Sequence, residues 1–150
     1  MSNIKLNKIF KTACIASDHA GFKLKEDIKN YLIDNNFSVF DIGPYAKKSV
    51  DYPDYAKKLG KRIKLKKSDV GILVCGSGTG MAISANKIKT IRAAVCYNLR
   101  STRLSRQHNN ANIIALGARL TKKNLSLKLV KTFLKTKFEG GRHSRRVKKI

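Results

Sequence analysis

Five short apolar runs, each followed by a stretch with helical spacing, constrain this chain more than any other feature. The runs are 12–17 (TACIAS), 37–42 (FSVFDI), 70–75 (VGILVC), 91–96 (IRAAVC) and 112–116 (NIIAL). Most are near-continuous in apolar content, as expected of parallel strands covered on both faces. Between them, 22–35 sets Leu24, Ile28 and Leu32 on one side of a helix, and 54–66 does the same with Tyr55, Leu59 and Ile63. Shorter helices are expected over 80–87 and 99–107. A last long one covers 125–137, where Leu125, Leu129 and Phe133 line up, with Thr121 as N-cap. The order βαβαβαβαβα specifies a single α/β domain over 1–150: an open sheet of about five parallel strands flanked by helices, with right-handed crossovers. Residues 1–10 read as a lead-in. Residues 139–150 (EGGRHSRRVKKI) follow a Gly-Gly break and read as a C-terminal arm.

Composition removes several classes. The chain has 150 residues, 33 Lys+Arg against 9 Asp+Glu, and a formal net charge of +24. Its 42% hydrophobic content is too high for a disordered polycation. The densest basic cluster, Lys57, Lys58, Lys61, Arg62, Lys64, Lys66 and Lys67, surrounds the apolar stripe of its helix, so it reads as a solvated face. Weak binding to polyanions is a by-product of such charge, without specificity for nucleic acid. No run approaches the roughly 18 apolar residues of a membrane span, and the first eleven residues carry no secretory signal. Three widely spaced cysteines, with no CxxC, fit a reducing cytoplasm better than a zinc module or disulfide framework.

In open α/β sheets ligands gather beyond the carboxyl ends of the strands, so the strand–loop junctions carry the chemistry. Val70 to Cys75 runs into Gly76-Ser77-Gly78-Thr79-Gly80 and then a helix. Three glycines in five residues exceed what a tight turn needs. They let backbone approach a ligand, and the helix start turns unpaired N–H groups toward an anion. Gly80 is followed by Met81 rather than Lys, which excludes a P-loop. No Asp or Glu occurs between Asp69 and Glu139, which removes a ribose-binding acid, carboxylate-held magnesium and a Glu base on this loop. A small anionic substrate is the remaining ligand class. Cys75 enters the loop where backbone dipoles and nearby cations favour a thiolate, able to act as nucleophile or general base. Cys14 and Cys96, inside apolar runs, read as inert.

Ser17-Asp18-His19-Ala20-Gly21 ends the first strand with a carboxylate and an imidazole, although Asp18 also suits a helix cap. His108 and Asn109 end the fourth helix. Gly117-Ala118-Arg119 follows the fifth strand. Arg142 and Arg146, four residues apart, share one helical face; by spacing alone they are surface charges.

Together these strings (SDHAGFKLK, DYPDYA, ILVCGSGTGMAISANK, IRAAVC, RQHNNANIIALGAR, FEGGRH) closely resemble ribose-5-phosphate isomerase type B, in the family shared with galactose-6-phosphate isomerase subunits. The resemblance runs from about Ser17 to Arg146. It implies a Rossmann-like fold and metal-independent, cofactor-free interconversion of ribose 5-phosphate and ribulose 5-phosphate in the pentose phosphate pathway of carbohydrate metabolism. A homodimer or homotetramer with shared sites is implied too. By position, Cys75 resembles the base moving a proton between C1 and C2, and Ser77 a shuttle between O1 and O2. Gly76, Gly78, Thr79 and Gly80 resemble the enediolate cradle, and Asp18 and His108 the ring-opening groups. Asn109 and Tyr52 resemble sugar contacts, and His19, Arg119, Arg142 and Arg146 a phosphate clamp. One branch of the family places a Glu where Met81 stands here, so the chain is similar to the Cys-using branch. A hexose 6-phosphate isomerase, for galactose or allose, is the alternative within the same chemistry. A noncatalytic polyanion-binding protein is the alternative outside it.

Overall fold

A computed structural model describes residues 9–150, so the expected lead-in lies almost wholly outside the described residues. Eleven elements follow: β1 (Thr12–Ser17), α1 (Phe22–Asp34), β2 (Ser38–Gly43), α2 (Tyr52–Lys64), β3 (Val70–Cys75), α3 (Thr79–Asn86), β4 (Ala93–Val95), α4 (Leu99–Gln107), β5 (Ile113–Gly117), α5 (Lys123–Lys135) and α6 (Arg142–Val147). The five strands form one sheet in the order β2-β1-β3-β5-β4, every pair parallel. The direction of strand order reverses between β1 and β3. At such a switch point the flanking loops diverge, and a crevice opens beyond the strand ends.

The apolar runs become strands because each is covered twice. On one face Ile15, Ile72 and Ile114 pack with Leu24, Ile28 and Leu32 of α1 and Leu129, Val130 and Phe133 of α5. On the other, Cys14, Leu73 and Ile113 pack with Ala56, Leu59 and Ile63 of α2 and Met81 and Ala85 of α3. Each fully buried Leu, Ile or Phe contributes about 1.5–3 kcal/mol. Burial pushes the Cys14 thiol up to about 12 and raises that of Cys96, so both behave as small apolar side chains.

The differences from the sequence reading have local causes. β4 shrinks to three residues because the Ile91 amide turns to the Ile88 carbonyl and the Arg92 amide to Asn112 Oδ1. α2 starts earlier, at Tyr52, since Pro53 suits the first helical turn. Thr121 is buried and does not cap α5; Lys122 takes that place, and the Thr121 carbonyl accepts from Ser126 Oγ. The arm folds back as α6, tied to α4 by the Glu139 amide donating to the Gln107 carbonyl.

A buried ion cluster joins α1 to the end of β2. Lys25, with no exposed side-chain surface, places Nζ 2.8 Å from both Asp41 oxygens and 3.0 Å from Glu26. Lys29 closes the ring, 2.7 Å from Glu26 and 3.0 Å from Asp41. Asp41 also accepts the Gly43 amide at a break in the β1–β2 register, and its carbonyl accepts from Tyr45. That pins the start of loop 44–50.

Candidate active site

At the carboxyl edge of the sheet, β1, β3 and β5 deliver most of the expected residues together. Asp18 is buried; its amide donates to the Val74 carbonyl and its carboxylate accepts the Gly21 amide at 2.9 Å, so it holds the β1 turn against β3. Gly21 is required there, because a Cβ would come within 2.4 Å of the Val74 oxygen. His19 follows, its Nδ1 3.5 Å from the Val50 amide at the far end of loop 44–50.

Cys75, the last residue of β3, is buried among Ala16, Leu73 and Met81 of the second core, with a small exposed remainder. The chain then turns through Gly78 at φ +81° into α3. This turn brings the Gly78 amide 3.1 Å from Cys75 Sγ, and the Thr79 amide 3.3 Å from Ser77 Oγ. The first-turn amides of α3, those of Gly80 and Met81 among them, have no intrahelical acceptors and point out of the start of the helix. Tyr52 lies against Gly80 so closely that a Cβ there would be 2.7 Å from its ring.

The β5 loop locks onto this turn. Ala118 donates to the Cys75 carbonyl at 2.8 Å and Arg119 to the Gly76 carbonyl at 3.0 Å. The Arg119 guanidinium thereby lies over Gly76, where a Cβ would come within 3.2 Å of it. Asp18, His19, Tyr52, Cys75, Gly76, Ser77, Gly78, Thr79, Gly80 and Arg119 are thus neighbours along one edge.

His108, Asn109, Arg142 and Arg146 are elsewhere. α4 runs back against the strand direction, so its C-terminal residues reach the amino edge of the sheet. There the Asn109 and Asn110 carbonyls accept from Arg92, just before β4. α6 joins them: the rings of His108 and His143 stack at 4.3 Å, and Glu139 lies near both. Burial, His108 and Arg142 hold the His143 imidazole below its ordinary value. One chain therefore holds the two groups of expected residues on opposite edges of its sheet. Helix direction alone, followed from strand to strand, could have revealed this.

Two contributors escaped the sequence reading. Tyr97, just past β4, donates to the Ser77 carbonyl at 3.2 Å and steadies the glycine turn. The Lys25–Asp41 cluster was signalled by a lysine at the buried spacing of Ile28 and Leu32.

Known proteins resemble this chain in both sequence and fold. The family model described as Ribose/Galactose Isomerase matches residues 13–150. Ribose-5-phosphate isomerase B of Escherichia coli is 40% identical over 140 residues, covering 93% of this chain and 94% of that protein. The Clostridium thermocellum ribose-5-phosphate isomerase B structure superposes with a TM-score of 0.91 at 46% identity, covering 92% and 93% of the two chains. The Mycoplasma genitalium enzyme, solved with bound ribulose-5-phosphate, gives 0.88 at 41% identity, with 92% of each chain covered. A five-stranded parallel sheet with its switch point between β1 and β3, a glycine turn at that point, and these matches over nearly the whole length have one conclusion: the chain belongs to the ribose/galactose isomerase family.

Proposed function

We propose that this chain interconverts ribose 5-phosphate and ribulose 5-phosphate through an enediolate, with Cys75 as the general base. The observation that carries this reading is the turn after β3, where a sulfur, a donating amide and the open start of α3 lie beside Arg119 at the carboxyl edge of the sheet. In the aldose-to-ketose direction the Cys75 thiolate takes the proton from C2 of the open-chain sugar and returns it to C1. Ser77 Oγ passes the hydroxyl proton between O1 and O2. The charge that develops on the enediolate oxygens meets fixed N–H donors of the glycine turn, which need no reorganisation as the charge forms. His19 and Arg119 grip the phosphate, far from the reacting carbons, and that remote binding energy serves orientation.

His108 of the ring-opening pair, Asn109 and the rest of the clamp complete the site only when a second copy supplies them. His108, Asn109, Arg142 and Arg146 of one subunit then face Asp18 and Cys75 of the other. Two features support a homo-oligomer. The half-sites lie on opposite edges of one chain, and β4 is an edge strand flanked by a groove of about 420 Å³ lined by Ala82, Ile83, Ala93 and Val95. Ile83, Tyr97 and Leu99 expose apolar surface along this side, as a subunit contact requires. The reaction in this form calls for neither metal nor cofactor. A reducing cytoplasmic setting goes with it, supported by three free, buried thiols. Among the described residues no helix is long and apolar enough to cross a membrane.

The test is a coupled assay without added metal, comparing ribose 5-phosphate with the 6-phosphates of galactose and allose. Turnover is expected on the pentose phosphate above both hexose phosphates. A preference for a hexose phosphate overturns the assignment of substrate, and no turnover on any overturns the reaction.

A further inference from the structure

The 69-residue stretch without an acid ends at Glu139, and that carboxylate lies between two of the three histidines in the chain. Glu139 Oε2 is 3.6 Å from His143 Nε2 and 3.9 Å from His108 Nε2, and one ligand atom of each residue lies within 4.8 Å of the others. His143 is largely covered, with 9% of its side chain exposed, while His108 and Glu139 are 38% and 48% exposed. We infer that His108, Glu139 and His143 bind a divalent transition-metal ion of the zinc type, and that its binding inhibits the isomerase by occupying His108.

The donor set is right for such an ion: two imidazoles and a carboxylate, with a fourth position left to water. Zinc bonds of about 2.0–2.2 Å in a tetrahedron put ligand atoms roughly 3.3 Å apart. The carboxylate is already within a few tenths of that from His143. The two rings now stack with planes 12° apart. Coordinating one ion therefore calls for the half-exposed His108 ring to turn about its Cβ–Cγ bond. Gly140 and Gly141, at φ +66° and +55°, turn the chain between α5 and α6 directly after the carboxylate. Arg142 and Arg146 oppose a cation here, which makes the site one for reversible capture rather than a permanent structural ion. An imidazole bonded to metal through Nε2 has no lone pair there for a sugar proton. This inhibitory half rests on the role proposed above for His108; the metal site itself does not.

Titration calorimetry of the full chain with zinc chloride, cross-checked by cobalt absorbance, tests the site. One ion per chain is expected, with binding weakened at least about tenfold in His143→Gln and in Glu139→Gln and kept in Cys75→Ala. Thermal melts establish that the variants fold, and Glu139, being exposed, is the safer of the two. Unchanged binding in both variants, or loss of binding in Cys75→Ala, overturns the assignment. In the coupled assay, zinc is expected to inhibit the wild type, EDTA to restore it, and His143→Gln to resist. Zinc bound at this cluster without inhibition overturns the inhibitory half and the role of His108 with it. No zinc binding by an active enzyme overturns the site alone.

Discussion

The Gly78 amide donates to the Cys75 sulfur at 3.1 Å, so the residue that turns the loop also aims a proton donor at the proposed base. A donor so placed supports negative charge on sulfur, and only a residue at ease with φ +81° provides it at that position. Cys75→Ala is expected to fold normally and to lose about 10²–10⁴ in kcat, the usual worth of a positioned base. Steady-state kinetics on ribose 5-phosphate measure this, and near-wild-type turnover excludes the sulfur.

The division of residues between two edges leads to a mixing experiment. Cys75→Ala and His108→Asn are each expected to be inactive alone. Subunit exchange between them rebuilds one intact site in each mixed dimer, since a two-fold contact pairs each edge with the opposite edge of the partner. Random mixing should recover about a quarter of wild-type activity in a dimer. If the mixture stays dead while mass spectrometry shows that exchange occurred, the site is not shared in this way.

Two glycines of similar crowding should respond differently to alanine. At Gly117 a Cβ would meet the Ser77 backbone at 2.8 Å, and backbone in a locked turn has nowhere to go. Gly117→Ala should cost about 1–3 kcal/mol by denaturant unfolding and reduce kcat by displacing Ser77. At Gly60 the contact is 2.6 Å, but to the tip of the Ile88 side chain, which can rotate away. Gly60 lies within α2, where alanine gains up to about 1 kcal/mol in helix propensity. Gly60→Ala should therefore be near neutral and fully active.

The Lys25–Asp41 cluster predicts an acid-sensitive fold. Burial pushes the Asp41 carboxyl up, but hydrogen bonds from Lys25, Lys29 and the Gly43 amide outweigh it and hold it below the ordinary carboxylate value. A depressed native value means stabilisation that is complete above about pH 4, the unfolded value, and lost as pH falls through the native one. Asp41→Asn should flatten that acid limb. It should also lower stability at pH 7 by about 3–5 kcal/mol, because it withdraws the principal partner from a buried ammonium. Urea unfolding at pH 7 and pH 3 for both proteins measures this. Equal acid sensitivity in the variant places the effect elsewhere.

The sheet was legible because continuous apolar runs such as 12–17 and 70–75 leave little choice but doubly covered parallel strands, and both coincide with β1 and β3. Edge strands were harder. β4 is short because side-chain and turn hydrogen bonds from Asn112 and Ile88 draw off its first amides, which no local pattern announces. The glycine turn and Arg119 could be placed from the order of strand and loop. What periodicity does not convey is which end of the sheet a helix terminus reaches, so His108 and Arg142 look adjacent to Cys75 on paper while one chain keeps them apart. The Lys25 cluster was hidden for another reason: a lysine within an apolar stripe is usually solvated, and only the partner on β2 explains its burial.

Loop 44–50 is tethered at its start by Asp41, through Gly43 and Tyr45, and at its end by His19, through Val50. Its middle is answerable to neither anchor. Such a segment behaves as a cassette: residues can be exchanged inside it while the two posts stay put. Under the proposed function, such exchange offers a route to a different sugar preference that leaves the proton-transfer residues untouched.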